Sequence, residues 1–319
     1  MNFSVRKMPW FLGLAVGLLV TAGNIAYFVQ SFPGLAAEPD SVILNDHLPV
    51  QRDVYRVKPP DFIAALNLGS ADLSINNLRP LPLLHYRSND VLPLASLTKL
   101  MSALVILEAR PDWSLVITIK SEDKRGGAKP RIFPGENISV GDLWQLMLVG
   151  SDNDATMALV RGLNLDETEF VKRMNQRALE FGLVSTKFVE PTGLLPDNVS
   201  TAREFAVIAR AALFEPRISE ALSLPSTDIK VNGESRKIFS SDQQFKSFRD
   251  ARRDGWAYVT GKTGHLDEAG YNVALLARQD NGVEILAVLL GSSTLENRVV
   301  AADKLLAWAF AHAPQTVQQ

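Results

Sequence analysis

The segment Leu97 to Glu108 carries Leu100, Met101, Ala103, Leu104, Val105, Ile106 and Leu107, and Pro111 closes it. A helix that is apolar on nearly every side has no face to offer water, so it belongs at the centre of a core. That demands a domain large enough to surround it. The chain has 319 residues, 46% of them apolar and 21% charged, which is the profile of a folded globular protein. One ammonium, Lys99, lies in the first turn of this helix, and burial there would lower its pKa.

The surrounding pattern changes character twice. Phe62 to Leu68 and Leu83 to Leu92 read as short antiparallel strands broken by Gly, Asn and Pro. Helices are then expected from Val140 to Val149 behind the capping pair Ser139-x-x-Asp142, and just after Gly150 with Ser151 or Asp152 as cap. Two more run from about Asp166 to Phe181, stopped by Gly182, and from Thr201 to Phe214, opened by Thr201-x-x-Glu204 and closed by Pro216. Strands return at a hairpin around Asn232-Gly233, then at Trp256 to Thr260, Tyr271 to Ala277 and Val283 to Leu290, the last two joined at Asn281-Gly282. Leu295 to Ala311 closes the chain as an amphipathic helix. This order predicts an α+β fold: an antiparallel sheet completed from both chain ends and flanked by helices, with an all-helical subdomain at about 112–222 inserted in it.

Arg6 and Lys7 precede an apolar stretch from Trp10 to about Val29, and the small residues Gly34, Ala36 and Ala37 follow before Glu38. Residues 1–37 are therefore read as a signal peptide or an N-terminal membrane anchor, which puts the protein in the periplasm or cell envelope. Residues 38–60 form a loop-rich lead-in ending in Pro59-Pro60, and 61–319 the catalytic domain. The absence of cysteine excludes thiol catalysis and disulfides. Four histidines, His47, His85, His265 and His312, without a His-Glu-x-x-His pair, give no reason to expect a metal, and no other cofactor is expected. A net charge of −2 without a Lys/Arg run argues against a nucleic-acid partner.

Three short motifs carry the chemistry. In Ser96-Leu97-Thr98-Lys99 the serine starts a helix and the lysine lies one turn along on the same face, so the amine can reach the hydroxyl. Alone the spacing is weak, since Ser4-x-x-Lys7 and Ser121-x-x-Lys124 share it and a capping serine beside a surface lysine is the ordinary reading. Ser151-Asp152-Asn153 falls in the turn between two apolar helices, where a plain helix cap is the bland alternative. Lys262-Thr263-Gly264 lies on or beside a strand, with a cation for a carboxylate, a hydroxyl donor, and a glycine that lets substrate approach the strand edge. Each motif sits in the local context its role demands, and together they form a set associated with penicillin-binding proteins and class A β-lactamases.

The sequence resembles the low-molecular-mass penicillin-binding proteins, the D-alanyl-D-alanine carboxypeptidase and endopeptidase family. The likeness runs through Ala95 to Met101, Gly150 to Ala155, Phe188 to Leu194, Ser200 to Arg203 and Gly261 to Gly270, and covers roughly Phe62 to Phe310. It implies a β-lactamase/transpeptidase-like fold and an acyl-enzyme mechanism on peptidoglycan stem peptides, with β-lactams as covalent inhibitors. Ser96 would be the nucleophile, Lys99 its general base and Ser151 the proton relay, while Asn153 orients Lys99 and the substrate backbone. Lys262 and Thr263 would hold a substrate carboxylate beside Gly264, and the backbone N–H groups of Ser96 and His265 would form the oxyanion hole. Leu266 stands where threonine is common in the family, and a chain ending one helix after its last strand leaves no room for an added C-terminal β domain. A class A-like β-lactamase, suggested by Glu190-Pro191, and a non-catalytic β-lactam sensor are the alternatives; Glu190 is expected to shape the floor of the site instead of acting as a base.

Overall fold

The structure is a computed structural model, and it describes residues 60–76, 81–127, 130–243 and 255–313. The expectations for residues 1–37 and for nearly all of the lead-in lie outside these. Five strands form the main antiparallel sheet: β1 (Ser70–Asn76), β2 (Leu81–Tyr86), β9 (Trp256–Leu266), β10 (Gly270–Gln279) and β11 (Glu284–Ser292), in the order β2-β1-β11-β10-β9. The sheet is thus closed from both ends of the chain, as the element order implied.

Alternation along β10 and β11 separates two cores. Ala274, Leu276, Leu286, Val288 and Leu290 face one side, where α1 (Thr98–Glu108) lies with α2 (Val140–Leu148), α3 (Asn153–Gly162), α4 (Glu167–Glu180) and α5 (Ala202–Leu213). Val273, Leu275, Ala277, Ile285, Ala287 and Leu289 face the other, covered by α7 (Leu295–His312). Because both faces are covered, these strands read as continuous apolar runs. Every residue of α1 from Thr98 to Ile106 is buried, as an all-round apolar helix requires.

The helical part also holds short strands. A sheet of order β4-β5-β7-β8 joins β4 (Val116–Thr118) and β5 (Asn137–Ser139) to the hairpin of β7 (Ser226–Val231) and β8 (Glu234–Phe239), and α6 (Pro216–Ser223) precedes that hairpin. The stretch 112–222 is accordingly not all helix; β4 and β5 are too short for an alternating pattern to stand out. Both central residues of the hairpin turn, Asn232 and Gly233, have positive φ (52° and 86°), the requirement of the turn type their identities suggested. One further pair, β3 (Leu92–Pro93) with β6 (Val199–Ser200), braces the approach to α1.

Two strand expectations are corrected. Phe62 to Leu68 is not a strand: Asp61–Leu66 forms a 3-10 helix, and the strand is β1, immediately after it. β1 alternates Ala71, Leu73 and Ile75 with buried Ser70, Asp72 and Ser74, and polar residues of low strand propensity mask that alternation. Asp72 is tolerated because His85, its cross-strand neighbour, pairs with it at 2.7 Å. Leu83 to Leu92 divides into β2 and β3 at a turn where Arg87 has a φ of 47°.

Phe205 of α5 is fully buried in the core between the helices and the sheet. Phe205→Ala should cost about 3–5 kcal/mol in equilibrium urea unfolding.

Candidate active site

Ser96 lies in the 3-10 turn Ala95–Leu97 that leads directly into α1. One turn on, the Lys99 amine is completely buried. Its Nζ contacts three oxygens: Ser96 Oγ at 3.2 Å, Asn153 Oδ1 at 2.7 Å and the Thr192 carbonyl at 2.6 Å. Asn153 Nδ2 donates to the Gly126 carbonyl at 2.9 Å, which fixes the amide with its oxygen towards Lys99. Two of the three partners can only accept. A neutral amine has two N–H groups and one lone pair, so donation to Asn153 and Thr192 leaves the lone pair for the only partner that can donate, the Ser96 hydroxyl.

The neutral amine is within reach at ordinary pH. Burial, reinforced by the charge of Lys262, lowers the Lys99 pKa to about 7, against the opposing pull of Glu190 and Asp152.

The second motif resolves a question of capping. Asp152 is the N-cap of α3, its Oδ1 accepting from Ala155 N at 2.9 Å, while Arg131 donates to its other oxygen at 3.5 Å. Ser151, just before it, adopts a left-handed φ of 56° and lines the cleft. Its hydroxyl is therefore not consumed by the helix end.

Lys262, Thr263 and Gly264 lie inside β9, paired with Ala274, Val273 and Asn272. The strand runs on to Leu266, well past Thr260, so the motif is within a strand and not at its end. β9 is the last strand of its sheet, and the turn bearing Ser96 packs against it. Lys262 is buried, with Nζ donating to the Thr263 carbonyl at 2.8 Å; burial lowers its pKa to about 8, with Asp242 opposing and Arg298 and Arg131 adding to the fall. Gly264 has a role beyond the one expected of it. A Cβ there would meet Ser96 N at 2.9 Å and the Leu94 carbonyl at 3.0 Å, so the missing side chain lets the strand touch the backbone of Ser96 itself. His265 is exposed at the strand end, its ring stacked 4.0 Å from that of Tyr271, its partner on β10.

A cleft of about 280 Å³ collects Ser96, Ser151, Thr263, Gly264 and His265, while Lys99, Asn153 and Lys262 are buried around it. Ser241, Tyr271, Leu295 and Arg298 complete its lining and are not among the site residues expected from the sequence. Arg298 did leave a signal: it occupies the buried spacing of α7 shared by Ala301, Ala302 and Leu305, where an arginine needs a reason. It donates to the Asn272 carbonyl at 3.3 Å and lies 5.7 Å from the Tyr271 ring centroid. Asn272 in turn donates to the Pro93 and Leu94 carbonyls at 2.9 and 3.2 Å, tying β10 to the turn before Ser96.

A serine hydroxyl against a buried amine, beside a cationic strand edge, is the arrangement of an activated nucleophile in an acyl-transferring serine enzyme. The chain belongs to the D-alanyl-D-alanine carboxypeptidase family, peptidase family S11, whose model matches residues 83–294. A D-alanyl-D-alanine endopeptidase of Haemophilus influenzae is 32% identical over 193 residues, covering 60% of this chain and 64% of that protein. The D-alanyl-D-alanine carboxypeptidase DacF of Bacillus subtilis is 30% identical over 230 residues, covering 70% and 57%. The chain thus spans less than two thirds of the length of each. Penicillin-binding protein D2 of Listeria monocytogenes, solved in its ampicillin-bound form, superposes with a TM-score of 0.65 at 26% identity, covering 79% of this chain and 100% of that one. These likenesses accord with the expected transpeptidase-type fold.

Gly264→Ala should push β9 off the Ser96 turn. The expected loss is about 1–3 kcal/mol in denaturant unfolding, with Ser96 chemistry falling further than stability alone explains; unchanged chemistry in a folded variant would contradict the contact.

Proposed function

We propose that the protein is a serine D,D-peptidase acting on peptidoglycan stem peptides through an acyl-enzyme, and that β-lactams acylate the same serine. The observation that carries this reading is the Lys99 amine, buried and held by two pure acceptors so that its lone pair is directed at Ser96 Oγ. Ser96 attacks the carbonyl of the D-Ala-D-X bond and Lys99 takes its proton. The N–H groups of Ser96 and His265 stabilise the oxyanion, at about 2.7–4 kcal/mol per donor. Ser151 relays the proton from Lys99 to the leaving amine as the C–N bond breaks. Water then adds to the ester, gives its proton to Lys99, and Ser96 leaves protonated. Asn153 orients Lys99 and the substrate backbone, and Lys262 and Thr263, with Gly264 allowing close approach, hold the substrate carboxylate.

Exported placement in the cell envelope, with the N-terminal segment as signal or inner-membrane anchor, belongs to the same reading; among the described residues no helix is long and apolar enough to cross a membrane. Residues 61–319 would form the catalytic domain, with 112–222 as its insertion. The β-lactamase alternative loses support because the Glu190 carboxylate is occupied by donors of its own loop and of Asn198.

Labelled penicillin should form a long-lived adduct on Ser96, absent from Ser96→Ala; rapid turnover to penicilloate would refute the peptidase. Free D-alanine released from pentapeptide marks a carboxypeptidase, and monomers from cross-linked muropeptides an endopeptidase. Uptake of penicillin with neither product would favour the sensor. Because only neutral Lys99 accepts a proton, acylation should rise with pH through a midpoint near 7, and at pH 5 should be about 100-fold slower than its plateau. A flat profile from pH 5 to 8 would show that Lys99 is not the base.

A further inference from the structure

Glu190 is a buried carboxylate, 5% exposed, without a cation on its oxygens among the described contacts. What it has are N–H and O–H donors. Thr192 N and Thr192 Oγ1 both donate to Oε2 at 2.6 Å; Gly193 N, Leu194 N at 2.9 Å and Asn198 Nδ2 at 2.7 Å donate to Oε1. Five donors saturate the roughly four lone-pair sites of a carboxylate, leaving none to activate a water.

The consequence is geometric. A turn wrapped round an anion with its N–H groups inward must send carbonyls outward. The Pro191 carbonyl meets Ser102 Oγ at 2.6 Å and the Thr192 carbonyl meets Lys99 Nζ at 2.6 Å, both on α1. Gly193, with a φ of 85°, completes the turn where a Cβ would lie 1.9 Å from the Ala95 carbonyl, so the same turn abuts the residue before Ser96.

We propose that Glu190 is a positioning residue: by gathering the 190–194 turn around its carboxylate it aims the Thr192 carbonyl at Lys99, and so directs the lone pair of that amine to Ser96. This rests on the reading of Ser96 and Lys99 as nucleophile and base. The charged groups that act on Lys99 are Lys262 from β9, Asp152 from the start of α3 and Glu190 from this turn. Glu190 therefore acts in two separable ways. Its shape sets the direction of the amine, and its charge favours the protonated amine, so loss of the charge moves the titration of Lys99 to lower pH.

Two variants of the full chain separate these effects, with penicillin acylation of Ser96 followed from pH 5 to 9 and thermal unfolding as a check on folding. Glu190→Asp keeps the charge but withdraws it by one methylene: the plateau rate should fall by about 100-fold with the midpoint unmoved. Glu190→Gln loses the charge: the plateau should fall comparably and the midpoint shift to lower pH. Wild-type acylation in the folded Asp variant would overturn the proposal. So would a Gln variant that acylates at the wild-type rate but never releases the adduct, since Glu190 would then be a deacylating base. A wild-type chain that takes up no label would instead sink the underlying assignment of Ser96 and Lys99.

Discussion

The placement of one amine organises this molecule. Lys99 is completely buried, and a lysine held in an apolar interior must be matched by partners or surrender its proton, because an uncompensated charge there costs several kcal/mol. It does both: two carbonyl oxygens and a hydroxyl meet it, and its pKa falls to about 7. The three partners come from three places, the turn before α1, the start of α3 and the 190–194 turn. No local element could assemble them. The surrounding of α1 on every side, which its sequence demands for hydrophobic reasons, is also what brings those three segments to one atom.

Close packing of backbone carries the rest of the geometry. The Ser96 turn, with Ala95 at a φ of 51°, is held between two glycines: Gly264 of β9 against Ser96 N and Gly193 against the Ala95 carbonyl. A non-glycine residue at positive φ persists only where its surroundings over-determine it. Here they do so through backbone contact on both sides, so the position of Ser96 is coupled to the sheet and to the 190–194 turn. The two-sided sheet matters for this reason. α7 packs on β10 and β11 and α5 on β1, β10 and β11, while β9 itself is held by β10, by α6 and by the turn that bears Ser96.

The fold class was legible in the sequence because it rests on periodicity and on caps, whereas the three motifs, each ordinary alone, stood out through their resemblance as an ordered set to a known family. Thr201 caps α5 by accepting from Glu204 N at 3.0 Å, as its spacing suggested, although Glu204 itself turns to Ser185 N and Thr186 Oγ1 instead of closing the box. What was illegible depends on tertiary contact. β1 was missed because its polar side is buried, a cost met by a partner strand that no local pattern announces. Thr192 was missed as a functional position because it contributes a backbone carbonyl, and backbone groups leave no trace in residue identity. Gly264 was assigned to substrate approach, whereas its contact with Ser96 N appears only once strand and helix are brought together.

The two buried lysines are under one physical pressure and differ in the charges that surround them. Both lose stability as cations by burial, and each site carries a like charge that adds to the fall: Lys262 for Lys99, Arg298 and Arg131 for Lys262. Both therefore titrate well below an ordinary lysine, at about 7 and about 8. What differs is the set of charges around each amine: Glu190 and Asp152 oppose the fall at Lys99, and Asp242 opposes it at Lys262. Two amines of the same residue type beside one cleft are therefore set apart by the neighbours the fold gives each of them, which is what the distinct roles proposed for them require.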